Sequence, residues 1–253
     1  VYLSEMADII EELGGFVDQY IGDAIVAVFG APLEDADHAR HAVAAALACR
    51  ERLAEMPGVF PGRPDLILRA RIGVNSGNML VGNIGSKRRF NYTVMGDAVN
   101  LAARLEGANK AFSSRILISE STAQACGETI AMRELDLIRV VGREAPISVH
   151  EPLCLAAEAD AAVNEKISAF AAALALYRRR DLEAAATALD TLGPGDTVAA
   201  RLAVRARGMI AEPPPPIGRA LTSLCRNSLR RWRGGIKWVN GAPSNGRIPE
   251  NNS

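Results

Sequence analysis

Aromatic residues, cysteines, histidines and surplus charge are all scarce in this sequence. Phe, Tyr and Trp make up 5% of the 253 residues while 49% are hydrophobic, so a core must be built from aliphatic side chains and alanine. The four cysteines, Cys49, Cys126, Cys154 and Cys225, have no CxxC spacing. They encode neither a zinc ribbon nor a disulfide framework, and a reduced, cytoplasmic chain is the simpler expectation. Twenty-nine Lys and Arg balance 29 Asp and Glu, which argues against a protein that holds nucleic acid by charge. No apolar run approaches the length of a membrane span, and a signal peptide is not expected within these residues. The three histidines, His38, His41 and His150, form no metal-binding pattern, and the first two read as surface residues of a helix. An initiator Met is also lacking. The sequence opens at Val1 inside a helical pattern, so we expect upstream sequence in a parent protein, where a membrane anchor stays open.

What is present reads as alternating strands and helices. Leu3, Met6, Ile9, Ile10 and Leu13 recur at helical spacing, and Gly14-Gly15 ends the run. Residues 16–29 predict two strands joined by a tight turn at Gly22-Asp23. An alanine-rich helix over 35–55 and a Pro/Gly loop over 57–64 follow. Leu66, Leu68, Ala70, Ile72 and Val74 alternate, predicting a strand over 66–74. Strands over 79–84 and 91–95 flank a basic loop at 86–89, and Gly96-Asp97 opens a helix to about residue 110 with Asp97 as its N-cap. Residues 116–118, 132–140 and 147–151 add strands. This mixture, with two hairpins, predicts an α+β fold rather than a doubly wound parallel sheet.

Composition changes after Leu155, which suggests divisions at 1–155, 160–211 and 212–253. Residues 167–210 predict two or three helices broken near Arg180-Asp181 and at Gly193-Pro194-Gly195. They resemble one tetratricopeptide-like pair or an ordinary helical extension, packed on the preceding domain or on a protein partner. Prolines at 213–216 stop the helices. From 217 onward no period is visible, and seven Lys/Arg face one acid, Glu250. A basic arm is one reading; a disordered tail is the expected one.

Three ordered motifs carry the chemistry. The first, over 14–32, contains Val17-Asp18-Gln19-Tyr20-Ile21-Gly22-Asp23-Ala24. The second is Gly73-Val74-Asn75-Ser76-Gly77, followed by Val81-Gly82-Asn83-Ile84-Gly85. The third is Tyr92-Thr93-Val94-Met95-Gly96-Asp97-Ala98-Val99-Asn100-Leu101-Ala102-Ala103-Arg104. Read alone, Asp23 is a turn residue or a ligand. Asn100 and Arg104, four apart, share a helix face that is either solvated or catalytic.

Together, in this order, the motifs resemble the class III adenylate/guanylate cyclase catalytic domain of the bacterial type, from Val1 to about residue 153. The resemblance implies a ferredoxin-like, palm-type mixed sheet with flanking helices, followed here by a small α-helical extension. It implies conversion of ATP to 3′,5′-cyclic AMP and pyrophosphate, with GTP as the other possible substrate. Two Mg²⁺ or Mn²⁺ ions are expected in an intact parent. Asp23 would be one of two metal-binding aspartates; the other belongs on a strand ahead of Val1. Asn100 would orient the ribose, and Arg104 would meet the charge that builds on the α-phosphate. Gln19 and Thr93 occupy the positions that read the base.

Those two positions leave base choice open. Thr93 can accept from adenine N6. Gln19 stands where adenine-specific relatives carry lysine; its amide can donate to adenine N1 or accept from guanine. A second departure is Val140-Val141-Gly142, where the family often places a triphosphate-binding lysine at the middle position. Arg139 and Arg143 flank it, and Arg143 is a candidate substitute. The resemblance also implies a homodimer whose two sites lie across the interface, with residues 79–92 and their basic Lys87, Arg88 and Arg89 reaching to the partner. Two alternatives stand beside the enzyme: a catalytically incompetent nucleotide-binding or dimerisation module, and an interaction scaffold built on the helical segment.

Overall fold

A computed structural model describes residues 1–56, 68–86, 89–139 and 146–212, and the backbone of 236–240. The chain opens with α1 (Tyr2–Glu12), whose Met6 and Ile10 are fully buried. A hairpin follows, β1 (Gly15–Ile21) and β2 (Ala24–Phe29), then α2 (His38–Glu55). Next come β3 (Ile72–Ser76), β4 (Leu80–Ser86), β5 (Arg89–Met95) and α3 (Asp97–Phe112). β6 (Ile116–Ser119), α4 (Glu120–Cys126), β7 (Ile130–Ile138) and β8 (Ile147–Leu155) complete the first part. Three helices, α5 (Ala161–Arg178), α6 (Leu182–Asp190) and α7 (Thr197–Ala211), precede β9 (Ile236–Asn240).

Seven strands form one mixed sheet in the order β1-β2-β9-β3-β6-β8-β7. β1 and β2 are antiparallel; β2, β9, β3 and β6 run parallel; β8 is antiparallel to β6 and β7. β4 and β5 make a separate two-stranded sheet. All six residues of β2 are buried, as expected of an apolar run covered on both faces. Ile25, Ala27 and Phe29 face α1 and α2, while Val28 packs with Met79, Val94, Ala98 and Ala102 under α3.

Helix α3 is held against β3 at three heights. Near its start, buried Asn75 donates to Ala98 O (3.0 Å). Near its end, buried Asn109 donates to Ile72 O (2.9 Å). Between them the two backbones nearly touch at Gly73, where a Cβ would lie 2.2 Å from Ala102 O and 2.3 Å from Glu106 N. Only glycine permits that approach. The other flank of α3 (Leu101, Leu105, Phe112) joins Leu117, Leu135 and Val149 and the apolar faces of α5–α7 in a second core. Thr197 Oγ1 and Arg201 Nε donate to the last carbonyls around the α3 terminus, Ser113 O and Ala111 O.

Several expectations need correction. The strand expected over 66–74 is Ile72–Ser76; residues 68–71 have no regular structure, and 57–67, including the Pro/Gly loop, lie outside the described residues. Asp97 is the first residue of α3, not its N-cap; Gly96 holds that place, with φ 151°. Asp97 still puts negative charge in the first turn, where the helix dipole favours it. Arg89, expected in a loop, belongs to β5, while Lys87 and Arg88 lie outside the described residues. Short α4 went unread because seven residues carry little periodicity; its start is fixed by Ser119, whose hydroxyl accepts from Thr122 N. His41 is not a free surface residue: Nδ1 lies 2.6 Å from Asp35 Oδ2. His38 is half-buried, and burial lowers its pKa. The tail is not without order throughout, since Ile236–Asn240 form β9, accepted by open ladders on β2 and β3. The rest of 213–253 lies outside the described residues.

Candidate active site

The β1–β2 turn is made by Gly22, at φ 65°, a left-handed conformation open to glycine, and by Asp23. Asp23 is exposed. Beside it lies the Tyr2 phenol, which burial, and then the Asp23 charge, push up to about 12. Gln19, exposed on β1, pairs with Val26. Antiparallel partners share a face, so Gln19 lies on the side of Val28 that α3 covers.

Between Val17 and Gln19 the register slips, and Asp18 is the extra residue of a β-bulge. The bulge turns the Asp18 carboxylate to β5. Thr93 Oγ1 donates to Asp18 Oδ2 (3.1 Å), and the Val94 N–H bonds to the same carboxylate. Asp18 Oδ1 is buried with no partner. Burial raises the Asp18 carboxyl above its ordinary value, and the two hydrogen bonds offset that only in part. Nearby, Phe16 and Tyr92 contact through their rings (centroids 6.1 Å apart).

Asn100 is exposed and Arg104 half-buried on α3. The Arg104 Nη1 lies 4.0 Å from Asp97 Oδ1, so Asp97, Asn100 and Arg104 share one helix face. The structure thus brings Gln19 and Thr93 to the face on which α3 stands, with Asp18 between them. No hydrogen bond among the described residues joins Asp23 to the other four. Val140, Val141, Gly142 and Arg143 lie outside the described residues. Asp18 was missed because strict alternation would turn it away from Gln19's side. A carboxylate in the middle of an apolar strand was the available hint.

As to metal, no group of three or more His, Cys, Asp or Glu among the described residues could hold an ion. Asp23 alone, with a substrate's phosphates, is a donor set that suits one Mg²⁺ or Mn²⁺, which accepts one or two carboxylates plus phosphate oxygens. It does not make a two-ion cage. Among the described residues, no helix is long and apolar enough to cross a membrane.

A mixed sheet with an aspartate-tipped hairpin, beside a helix carrying Asn and Arg one turn apart, is consistent with a nucleotide cyclase catalytic domain. The family model for the adenylate and guanylate cyclase catalytic domain matches residues 4–150, and the chain belongs to that family. It is similar to Adenylate cyclase 1 of Rhizobium meliloti (strain 1021), at 36% identity over 155 residues, covering 59% of this chain and 23% of the relative. It is similar to an adenylate cyclase of Anabaena cylindrica, at 36% over 154 residues, covering 59% and 30%. The chain therefore spans less than a third of these curated relatives. Among solved structures it resembles the guanylyl cyclase Cya2, with 31% identity, TM-score 0.53 and coverage of 61% and 77%. It also resembles the adenylyl cyclase CyaB from P. aeruginosa, with 30%, 0.51, and 60% and 78%. One neighbour is named for guanylyl and one for adenylyl chemistry at nearly equal likeness, so the fold does not choose the base.

Proposed function

We propose that this chain is the catalytic part of an adenylate cyclase, converting ATP to 3′,5′-cyclic AMP and pyrophosphate as a homodimer in the cytoplasm, within a larger parent protein. Residues 1–155 form the catalytic division, 160–211 the helical extension and 212–253 the linker and tail. The supporting observation is that α3, which bears Asn100 and Arg104, is pinned to β3 beside the hairpin that presents Thr93.

In cyclisation the ribose 3′-hydroxyl attacks the α-phosphorus and pyrophosphate leaves. Protein groups contribute mainly position and charge. Asn100 holds the ribose so that the hydroxyl is in line. Arg104, kept near its working position by Asp97, meets the charge on the α-phosphate oxygens. Gln19 and Thr93 grip the purine edge. A divalent ion carried by Asp23 and the triphosphate would add positive charge at the phosphates when bound.

Exposed apolar side chains support a second copy. Leu80, Phe90 and Met95 on the β4–β5 hairpin are 55%, 61% and 54% exposed, and Tyr20 on β1 is 50% exposed. Leu80 and Met95 are cross-strand partners and so form one exposed apolar pair, of the kind a protein interface covers.

The test is cyclic nucleotide formation by the purified chain from ATP and from GTP in Mn²⁺, with and without an added upstream strand bearing a second carboxylate. Cyclic AMP as the main product in either form supports the proposal. Cyclic GTP product in excess would assign a guanylate cyclase, the reading that the Gln19 carbonyl favours. Nucleotide binding without product in both forms would assign a non-catalytic module.

A further inference from the structure

A threonine hydroxyl is a poor base reader on its own, because it can rotate to donate or to accept. Adenine carries an amino donor at position 6, and guanine carries a carbonyl acceptor there. A freely rotating Thr93 would serve both. In this structure Thr93 is not free to choose: its hydroxyl hydrogen is given to Asp18 Oδ2 at 3.1 Å. An ionised carboxylate can only accept. The direction of the bond is therefore fixed, and the Thr93 oxygen has only lone pairs left to offer.

We propose that Asp18 is a positioning residue for base selection: by taking the Thr93 hydroxyl hydrogen, it makes Thr93 an obligate acceptor that fits the adenine 6-amino group and meets the guanine 6-carbonyl lone pair to lone pair.

The bulge at Asp18 is what makes this contact. Without the extra residue between Val17 and Gln19, alternation would direct neighbouring side chains to opposite faces. The Val94 N–H, on the same strand as Thr93, also favours the charged carboxylate. The arrangement is costly as a purely structural contact, because Oδ1 is buried without a partner. It also answers the ambiguity of Gln19: the selectivity that a lysine would give at that position is moved to the Asp18–Thr93 pair. This inference rests on the ATP reading above.

The experiment measures the ATP:GTP ratio in the full chain twice, as kcat/KM in Mn²⁺ and as binding affinity by calorimetry. The variants are Asp18→Ala, Asp18→Asn, Thr93→Val and the double variant Asp18→Ala/Thr93→Val, each checked for folding by its melting curve. Asp18→Ala is expected to lower the ratio about tenfold, the scale of one mismatched hydrogen bond. Asp18→Asn keeps an acceptor oxygen for Thr93 and is expected to retain most of the ratio. It also serves if the alanine variant fails to fold, since a collapse of the ratio in Asp18→Asn overturns the proposal. In the Thr93→Val background, Asp18→Ala is expected to change nothing further. An unchanged ratio in Asp18→Ala, or an equal change with and without the Thr93 hydroxyl, overturns the proposal. Binding with the expected ratios but no product, both with and without the added upstream strand, would refute the cyclase function and leave the Asp18 assignment standing. Binding of neither nucleotide overturns both.

Discussion

Arg133 on β7 and Asp196 at the start of α7 meet in a two-point contact: Nη1 to Oδ2 at 2.5 Å and Nη2 to Oδ1 at 2.8 Å, with both side chains almost wholly buried. Arg133 also bonds Glu151 and lies over the Phe170 ring at 4.4 Å, while Asp196 caps α7 through Ala199 N and takes Lys166. One ion pair thus ties the sheet to two of the three added helices.

Breaking that pair from one side leaves a buried charge short of its partner. Asp196→Ala is expected to cost about 3 kcal/mol, toward the lower end for such a loss because Glu151 remains with Arg133. Replacing Arg133 as well leaves Glu151 buried without its cation, so recovery of most of the loss is expected only when all three are made apolar, as Arg133→Met/Asp196→Leu/Glu151→Leu. Urea unfolding midpoints check this; a single variant as stable as the parent would contradict the pair's role.

Acid should dissolve the same contact. Burial by itself would raise the Asp196 carboxyl, but Arg133, the Ala199 N–H and Lys166 outweigh it and hold the pKa at about 2. A folded pKa below the unfolded one gives stability that is present above the unfolded value. It is lost as pH falls from about 4 through about 2. The loss expected from this group is about 2 kcal/mol. Comparing unfolding free energies at several pH values in the parent and in Asp196→Asn isolates it, since the variant should lack that part of the slope.

Gly73→Ala is expected to damage both stability and turnover. The new methyl would collide with backbone atoms of α3, Ala102 O and Glu106 N, which cannot rotate away as a side chain would. Overpacking of this kind costs roughly 1–3 kcal/mol. A displaced α3 moves Asn100 and Arg104, and a shift of about 1 Å can cost on the order of 100-fold in rate. A melting curve and a kcat measured well below the melting temperature separate the two effects.

Arg104→Ala and Asn100→Ala are expected to lower kcat about 100-fold or more with a smaller change in KM, because their contacts strengthen as charge and geometry develop in the transition state. Lys110→Ala, exposed near the far end of α3, is the control and should stay within about twofold. A comparable loss in the control would remove the assignment.

Gln19→Lys should raise the ATP:GTP ratio. Lysine only donates, which suits adenine N1 and opposes guanine N1–H, whereas the amide of Gln19 can turn either end to the base. Parallel assays with the two nucleotides check the direction.

How much of this was legible beforehand depended on whether the information was local. The Gly22-Asp23 hairpin and the Asn100/Arg104 face are written in consecutive residues, so turn chemistry and helical spacing suffice. Asp18 was not legible because a bulge is an irregularity of pairing: its effect exists only once β1 is laid against β2. The Arg133–Asp196 contact joins residues 63 apart that carry no pattern linking them. Strand β9 was equally hidden, since what makes Ile236–Asn240 a strand is the pair of unfilled ladders on β2 and β3, far away in sequence. Asp97 was misplaced by one position because Gly96, with its unusual φ, took the capping place.

Leu101, Leu105 and Phe112 turn one flank of α3 to the added helices, while Ala98 and Ala102 turn another to the sheet. The three helices are therefore not a portable module. Grafted onto another cyclase they would arrive with an oily face and nothing to match it, and a descendant that discarded them would have to repaint α3 in polar residues. Gain or loss of the extension is bound to the sequence of the helix that carries the proposed chemistry, so the two should be inherited together.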